Sequence, residues 1–429
     1  MEIIQIVPFL PPSLSGVGDY AVLLARQMRK EHDVNTVFLV CDPNWKPEDG
    51  RRTADDGRRT SDLRPLTSGL WLDDFPVYQL KKQNAVELLR VLSQHGMPAT
   101  VLLHFVGYGY QKRGCPVWLV RALREWKSGK EKAEKLKPET LKSDLRSQAS
   151  GLKFPVSSLR SPVSSFRSSA RPRLITMFHE LYAFGPPWRS SFWTSPLQKW
   201  IAKTLAHMTE HCVTNRNQYA RTLQKMTGRN EADFTVLPVI STVGEPERLP
   251  EWDERKPRMI VFGSAGWRER VYRDHKTDLE QACQQLNLTE IVDIGTPLRI
   301  PQLSVRISQR GILSAQEISR EMLDARAGFF AYPTAYLGKS TIFAAYAAHG
   351  LSPITFPANK DENEDGLKCG EHYLSANELL GCNAGKTEDI GTRAHRWYQK
   401  HSTKTQASWY ANAIHIFVGA LKVRPVNTL

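Results

Sequence analysis

Gly338-Lys339-Ser340-Thr341 stands just before a run of small and apolar residues, Ile342-Phe343-Ala344-Ala345-Tyr346-Ala347-Ala348, which stops at His349-Gly350. The pattern reads as a helix with Ser340 or Thr341 as its N-cap. The first N–H groups of such a helix have no intrahelical partner. With an ammonium beside them they form an anion site, most simply for a phosphate. A P-loop would need glycine at position 333, where Pro333 stands, so the cradle is of another kind.

Two histidines close apolar runs. His104 ends Val101-Leu102-Leu103, and His179-Glu180 follows Ile175-Thr176-Met177-Phe178. If both runs are strands of one parallel sheet, their carboxyl ends line a ligand crevice. His104 and His179 would then both stand at that crevice. The plainer alternative is a pair of structural histidines satisfied by their neighbours. A zinc-protease motif is excluded because Ala183 occupies the position of its second histidine, and no cluster has metal-ligand spacing.

Two glycine-rich loops complete the set. Gly16-Val17-Gly18-Asp19-Tyr20-Ala21 matches G-x-G-x-x-A, yet Pro8 to Ser15 separate it from the preceding apolar run, where a dinucleotide fingerprint needs a tight turn. A loop whose backbone approaches a phosphate survives that objection. Gly263-Ser264-Ala265-Gly266-Trp267 is followed by Arg268 and Arg270, and guanidinium offers bidentate contacts to phosphate. A solvated charged turn is the alternative.

These residues need elements to hold them. Apolar runs at 3–7, 36–41, 100–105, 174–178 and 211–214 read as strands. They alternate with helical patterns from Gly18, at 86–93, 117–126 and 196–208. A second series begins with a strand at 258–262. It continues with a helix at 274–286, a strand at 290–294, a helix at 315–325 and a strand at 327–332, followed by the helix from 339. Such alternation implies parallel sheets covered on both faces. The prolines between 238 and 257 mark a linker, and a terminal helix is expected over 406–421.

At 429 residues the chain exceeds one ordinary core. Its net charge is +14, but residues 127–173 hold twelve Lys/Arg against four Asp/Glu, so +8 of that charge lies in one low-complexity stretch. The remainder is an ordinary surface, which argues against a nucleic-acid-binding protein. The same stretch carries a direct repeat, Pro-Val-Ser-Ser-Leu-Arg-Ser then Pro-Val-Ser-Ser-Phe-Arg-Ser, and Asp-Gly-Arg-Arg-Thr occurs at both 49–53 and 56–60. Residues 127–172 are expected to be a disordered insertion that at most makes a loose contact with anionic headgroups. Six scattered cysteines, no C-x-x-C pair, no signal-peptide pattern and no long apolar run lead to the expectation of a cytoplasmic protein.

Together these motifs resemble the GT-B glycosyltransferases, nearest to the family-four group of bacteria. The resemblance rests on Pro8, Gly16-Val17-Gly18 and Tyr20-Ala21, on His104 and His179-Glu180, on the Gly263 loop and Asp293-Ile294-Gly295, and on Ala348-His349-Gly350-Leu351-Ser352-Pro353-Ile354. It implies an α/β protein of two Rossmann-like lobes facing across a cleft. An acceptor lobe would span residues 1–243, a nucleotide-sugar lobe 244–404, and a helix at 405–429 would cross back to the first lobe. It further implies sugar transfer to an acceptor hydroxyl without metal or cofactor, the nucleotide-sugar serving as co-substrate. The acceptor would be a sugar, a lipid or a polysaccharide precursor, at the cytoplasmic face of a membrane or in the cytoplasm. Gly16, Gly18, Arg268, Lys339, Ser340 and Thr341 would hold the diphosphate. His104, with His179 as rival, would face the transferring centre. The family's paired glutamates would fall near Leu337 and Ala345, and neither residue is acidic. A binding-only GT-B protein is therefore one alternative, and a nicotinamide-dependent oxidoreductase another.

Overall fold

The computed structural model describes residues 1–13, 15–47, 70–94, 100–128, 172–357, 365–379 and 381–419. Most of the expected insertion and both repeats lie outside these residues. Its first two positions, Lys127 and Ser128, belong instead to the helix Val117–Ser128, and Lys127 pairs with Glu210 at 2.6 Å.

Eight strands form the first sheet: β1 (Glu2–Val7), β2 (Asn35–Val40), β3 (Leu70–Leu72), β4 (Phe75–Gln79), β5 (Thr100–Phe105), β6 (Arg173–Phe178), β7 (His211–Thr214) and β8 (Phe234–Val236). Their spatial order is β3-β4-β2-β1-β5-β6-β7-β8, and every pair is parallel except β3 with β4. The near-continuous apolar runs of β1, β5 and β6 follow from burial on both faces. Chain direction across the sheet reverses between β1 and β5, and ligands of open parallel sheets collect beyond the carboxyl ends at such a point.

The second sheet contains β9 (Lys256–Phe262), β10 (Glu290–Ile294), β11 (Arg306–Gly311), β12 (Ala325–Phe330), β13 (Ser352–Thr355) and β14 (Leu374–Ser375). All its pairs are parallel, in the order β11-β10-β9-β12-β13-β14, with the reversal between β9 and β12. The helix Thr341–Ala348 lies against this sheet and is buried all round, as its sequence of small and aromatic residues allows. Gly328 on β12 leaves room for the Tyr346 ring, which a Cβ there would approach to 2.6 Å.

The lobes touch directly. Val239 N–H donates to the Gly338 carbonyl at 2.9 Å, and the Arg216 guanidinium to the Ala335 carbonyl at 2.5 Å. The helix Thr403–Gly419 packs on the first lobe's helix Gly16–His32, placing Ala407, Tyr410, Ala411 and Ile414 in a cluster with Tyr20, Leu24 and Met28.

Candidate active site

Register brings the two histidines together. His104 on β5 lies opposite Met177 on β6, so His179, two residues further on, faces the same side of the sheet. Gln5 on β1 pairs with Leu102 and shares that side with His104. His104 Nε2 is 2.8 Å from Gln5 Oε1, and Gln5 Nε2 donates to Thr36 Oγ1 at 3.1 Å. With the Gln5 amide so assigned, His104 carries its proton on Nε2 and presents the Nδ1 lone pair to His179 Nε2, 3.3 Å away. Nδ1 of His179 stays outside this chain of bonds. Tyr20 sets its ring edge-on to both imidazoles and donates its hydroxyl to Gln406 Oε1 at 2.5 Å, which fastens the terminal helix to the pair.

The expected ranking of the histidines is reversed by this geometry. His104 is fully enclosed and both its nitrogens are engaged, which leaves His179 as the histidine with a nitrogen outside the pair. Burial, reinforced by the neighbouring His179, holds the His104 pKa well below the usual imidazole range. Burial and then the Lys339 charge bring His179 down to about 3. Both rings are therefore neutral near pH 7. The contact of Lys339 with Glu180, the next residue, places His179 as the member of the pair nearer the second lobe.

Lys339 reaches across the cleft to Glu180, the residue after His179, with Nζ 3.0 Å from Oε1. Burial works against the ammonium, but Glu180, Tyr219 and Tyr332 more than offset it, and its pKa lies above the ordinary value. Lys339 is thus charged beside the helix Thr341–Ala348. Its side chain is 17% exposed and that of Glu180 47%. The Ser340 hydroxyl accepts the Phe343 N–H at 3.2 Å and is committed to the cap. Thr341 opens the helix, and a Cβ on Gly16 would lie only 3.8 Å from its methyl group. The helix Gly16–His32 of the first lobe and the helix Thr341–Ala348 of the second thus begin face to face.

Gly18 does not offer a free donor as expected. Its N–H goes to the Ser15 cap at 3.4 Å, and a Cβ there would meet the Phe9 carbonyl at 2.8 Å. Asp19 escaped the sequence reading of sites although it sits inside the glycine motif. It follows Gly16 by three residues and shares its helix face, and burial raises its pKa to about 6 despite the opposing Arg26 charge. Gln5 was missed too; its signal was a polar side chain inside the apolar run Ile3–Val7 of β1.

Arg268 does not line the cleft. Its guanidinium is fully buried, with Nη1 2.5 Å from Asp293 Oδ2, Nε donating to the Gly263 carbonyl at 3.1 Å and Nη2 to the Thr296 carbonyl. Tyr272 donates to the other Asp293 oxygen at 2.8 Å. Gly295, at φ 143°, leaves room for the guanidinium, which a Cβ would meet at 2.8 Å. Arg268 therefore ties together the loops after β9 and β10, and its fully buried guanidinium is closed off from a phosphate in the cleft. The helix it belongs to, Ala265–Asp274, still starts openly: Ser264 makes no side-chain cap bond, and nothing lies within 4 Å of a Cβ placed on Gly266.

A groove of about 720 Å³ also opens on the second lobe, but at the amino end of β9, among Lys256, Arg258, Arg310, Glu317 and Glu321. Two of its three arginines are already paired, Arg258 with Glu290 at 2.6 Å and Arg310 with Glu321 at 3.1 Å, and Glu254, Glu317 and Asp324 line it too. The carboxyl-end cleft is the better anion site on charge and topology. Among the described residues, no group of three or more His, Cys, Asp or Glu could hold a metal ion.

No family model matches this sequence, and no curated protein matches it. Solved structures do match the fold along its length. The apo form of the lipopolysaccharide outer core galactosyltransferase WaaB superposes with a TM-score of 0.52 at 12% identity, covering 97% of this chain and 99% of that one. The Anabaena protein HepE, in complex with UDP-glucose, gives 0.52 at 10% identity, covering 96% and 100%. A Listeria monocytogenes protein described as a UDP-N-acetylglucosamine 2-epimerase gives 0.53 at 11% identity, covering 98% and 97%. The chain has the GT-B fold: two Rossmann-like lobes, each with a parallel sheet, meeting across a cleft.

Proposed function

We propose that this protein is a glycosyltransferase that moves a sugar from a nucleoside-diphosphate sugar to an acceptor hydroxyl without a metal ion. One observation carries the reading: two helix N-termini, one from each lobe, meet at Gly16 and Thr341 beside the charged Lys339. Aligned peptide dipoles place positive potential at each start, and their mutual repulsion is relieved by an anion between them. The complex of HepE with UDP-glucose, in the same fold, supports a nucleoside diphosphate as that anion.

In the transfer, the acceptor oxygen bonds to the anomeric carbon while the bond from that carbon to the diphosphate oxygen breaks. The negative charge that grows on the departing diphosphate is met by Lys339 and the two helix starts, which need no reorganisation at that moment. The acceptor proton leaves on the departing diphosphate oxygen, which gains negative charge as its bond breaks. His179, neutral and with Nδ1 uncommitted, is suited to accept the hydrogen bond of the acceptor hydroxyl and so direct it, and His104, Gln5 and Thr36 keep its ring in one tautomer.

A binding-only protein is the second reading, favoured by Leu337 and Ala345. Both are packed in the apolar core where the resemblance would place carboxylates. Incubating the protein with UDP-, GDP- and ADP-sugars and a panel of acceptors, with and without a chelator, separates the two. Chelator-insensitive release of the nucleoside diphosphate, coupled to a glycosylated product, is the expected result. Saturable nucleotide binding without turnover would replace the transferase by the binding-only reading, and no nucleotide binding at all would remove both.

A further inference from the structure

After Glu180 the chain leaves β6 and builds a surface that the transfer chemistry does not use. Phe184 is 78% exposed, Trp188 84% and Trp193 74%, and Phe192, Leu197 and Trp200 are exposed as well. On the helix Ser190–Met208, Trp193, Leu197 and Trp200 follow one another at spacings of four and three, so they form one outward stripe. Ile201, Ala202, Leu205 and Ala206 face the core. The surface is continuous: Phe192 packs edge-on against Trp193, Trp193 Nε1 donates to the Pro187 carbonyl beside Trp188, and Lys199 lies over the rings of Tyr182 and Phe184. Isolated exposed apolar residues are ordinary, but a contiguous group of aromatic rings marks a contact surface.

Charge identifies the partner. From Leu181 to Thr209 there is not one aspartate or glutamate, while Arg189, Lys199 and Lys203 stand among the rings, and all three are exposed. A second copy docking face to face would set these cations against one another. An acidic bilayer surface answers both features, because tryptophan rings settle at the headgroup level and cations gain from anionic lipid. Among the described residues, no helix is long and apolar enough to cross a membrane, so the surface would lie on the bilayer.

We infer that the 182–203 surface docks the protein on membranes rich in anionic phospholipid, with Trp188, Trp193 and Trp200 inserted at the interface and Arg189, Lys199 and Lys203 on the headgroups. This is a different segment from the basic stretch at 127–173, and it begins two residues after Glu180, at the cleft's edge. On the transferase reading, docking there would bring a lipid-borne acceptor to the cleft; the docking itself does not depend on that reading.

Vesicle flotation of the full chain, without substrates, tests it. Binding is expected to phosphatidylcholine–phosphatidylglycerol vesicles and not to phosphatidylcholine alone, and to weaken with salt. Trp188→Ser with Trp193→Ser should lower partitioning by about ten-fold or more, as should Lys199→Glu with Lys203→Glu, while circular dichroism stays that of the parent. Absence of binding overturns the inference. So does binding that both double variants retain, which would move the contact to another segment, or a dimer in solution that the tryptophan variant dissociates.

Discussion

Arg268 and Lys339 are both cations placed by sequence next to a glycine turn at the carboxyl end of the second sheet, and the fold uses them in opposite ways. Arg268 is sealed by burial, with Asp293 and two loop carbonyls each taking one of its donors. Lys339 is held by one carboxylate from the other lobe, and that carboxylate is half exposed. A buried charge surrounded by fixed partners is framework: it sets the loops but cannot exchange its partners for a ligand. A charge whose partner water also reaches can be recruited, because the exchange costs little. The first lobe repeats the contrast with His104, enclosed and saturated, and His179, one step nearer the cleft.

The contrast can be broken most sharply at Arg268. Arg268→Ala leaves the Asp293 carboxylate buried without its cation and should cost about 3–5 kcal/mol of stability in denaturant melts. A loss below about 1 kcal/mol with selective loss of nucleotide affinity would return Arg268 to the cleft. On the first lobe, His179→Ala should lower turnover by roughly 10²-fold with the fold retained. Unchanged turnover would leave His179 as packing alone. Lys339→Ala should weaken nucleoside diphosphates by about 10- to 150-fold, equivalent to ~1.5–3 kcal/mol, and spare the matching nucleoside, while stability changes by under ~1 kcal/mol. Equal loss for nucleoside and diphosphate in calorimetric titration would show that Lys339 does not read the phosphates.

The smallest effect concerns Asp19. Its folded pKa is raised from 3.8 to about 6, so its favourable contribution is complete below 3.8 and is lost as pH rises through about 6. Asp19→Asn should therefore stabilise the protein at pH 7 by roughly 1–2 kcal/mol and flatten the stability slope across that window. Melting curves from pH 4 to 7 that keep the parent's slope would place the titrating group elsewhere.

Much was legible before any coordinates. The strands at 3–7, 100–105 and 174–178 coincide with β1, β5 and β6, because strands buried on both faces must be continuous apolar runs. The cradle helix was legible for the same kind of local reason: hydroxyl cap, small residues and a glycine at φ 68° after its end. Less visible were the edges. β11, Arg-Ile-Ser-Gln-Arg-Gly, is half solvent-facing and carries no apolar run, and β3 with β4 is a short antiparallel pair. The helices Asn217–Thr227 and Ala384–Gln399 were missed as well, each polar enough on its outer face to pass for a loop.

Residue types and local spacing thus determined two alternating α/β series, the capped helix at Thr341 and the pool of groups able to meet an anion. Tertiary structure alone decided which of them do. Whether a guanidinium is spent on Asp293 depends on a strand twenty-five residues away, and whether Lys339 meets Glu180 depends on how two lobes close over a separation of 159 residues. Local sequence fixes a side chain's chemistry and its face. Its partners, and with them its freedom to bind anything else, are set by contacts between segments that no local pattern encodes.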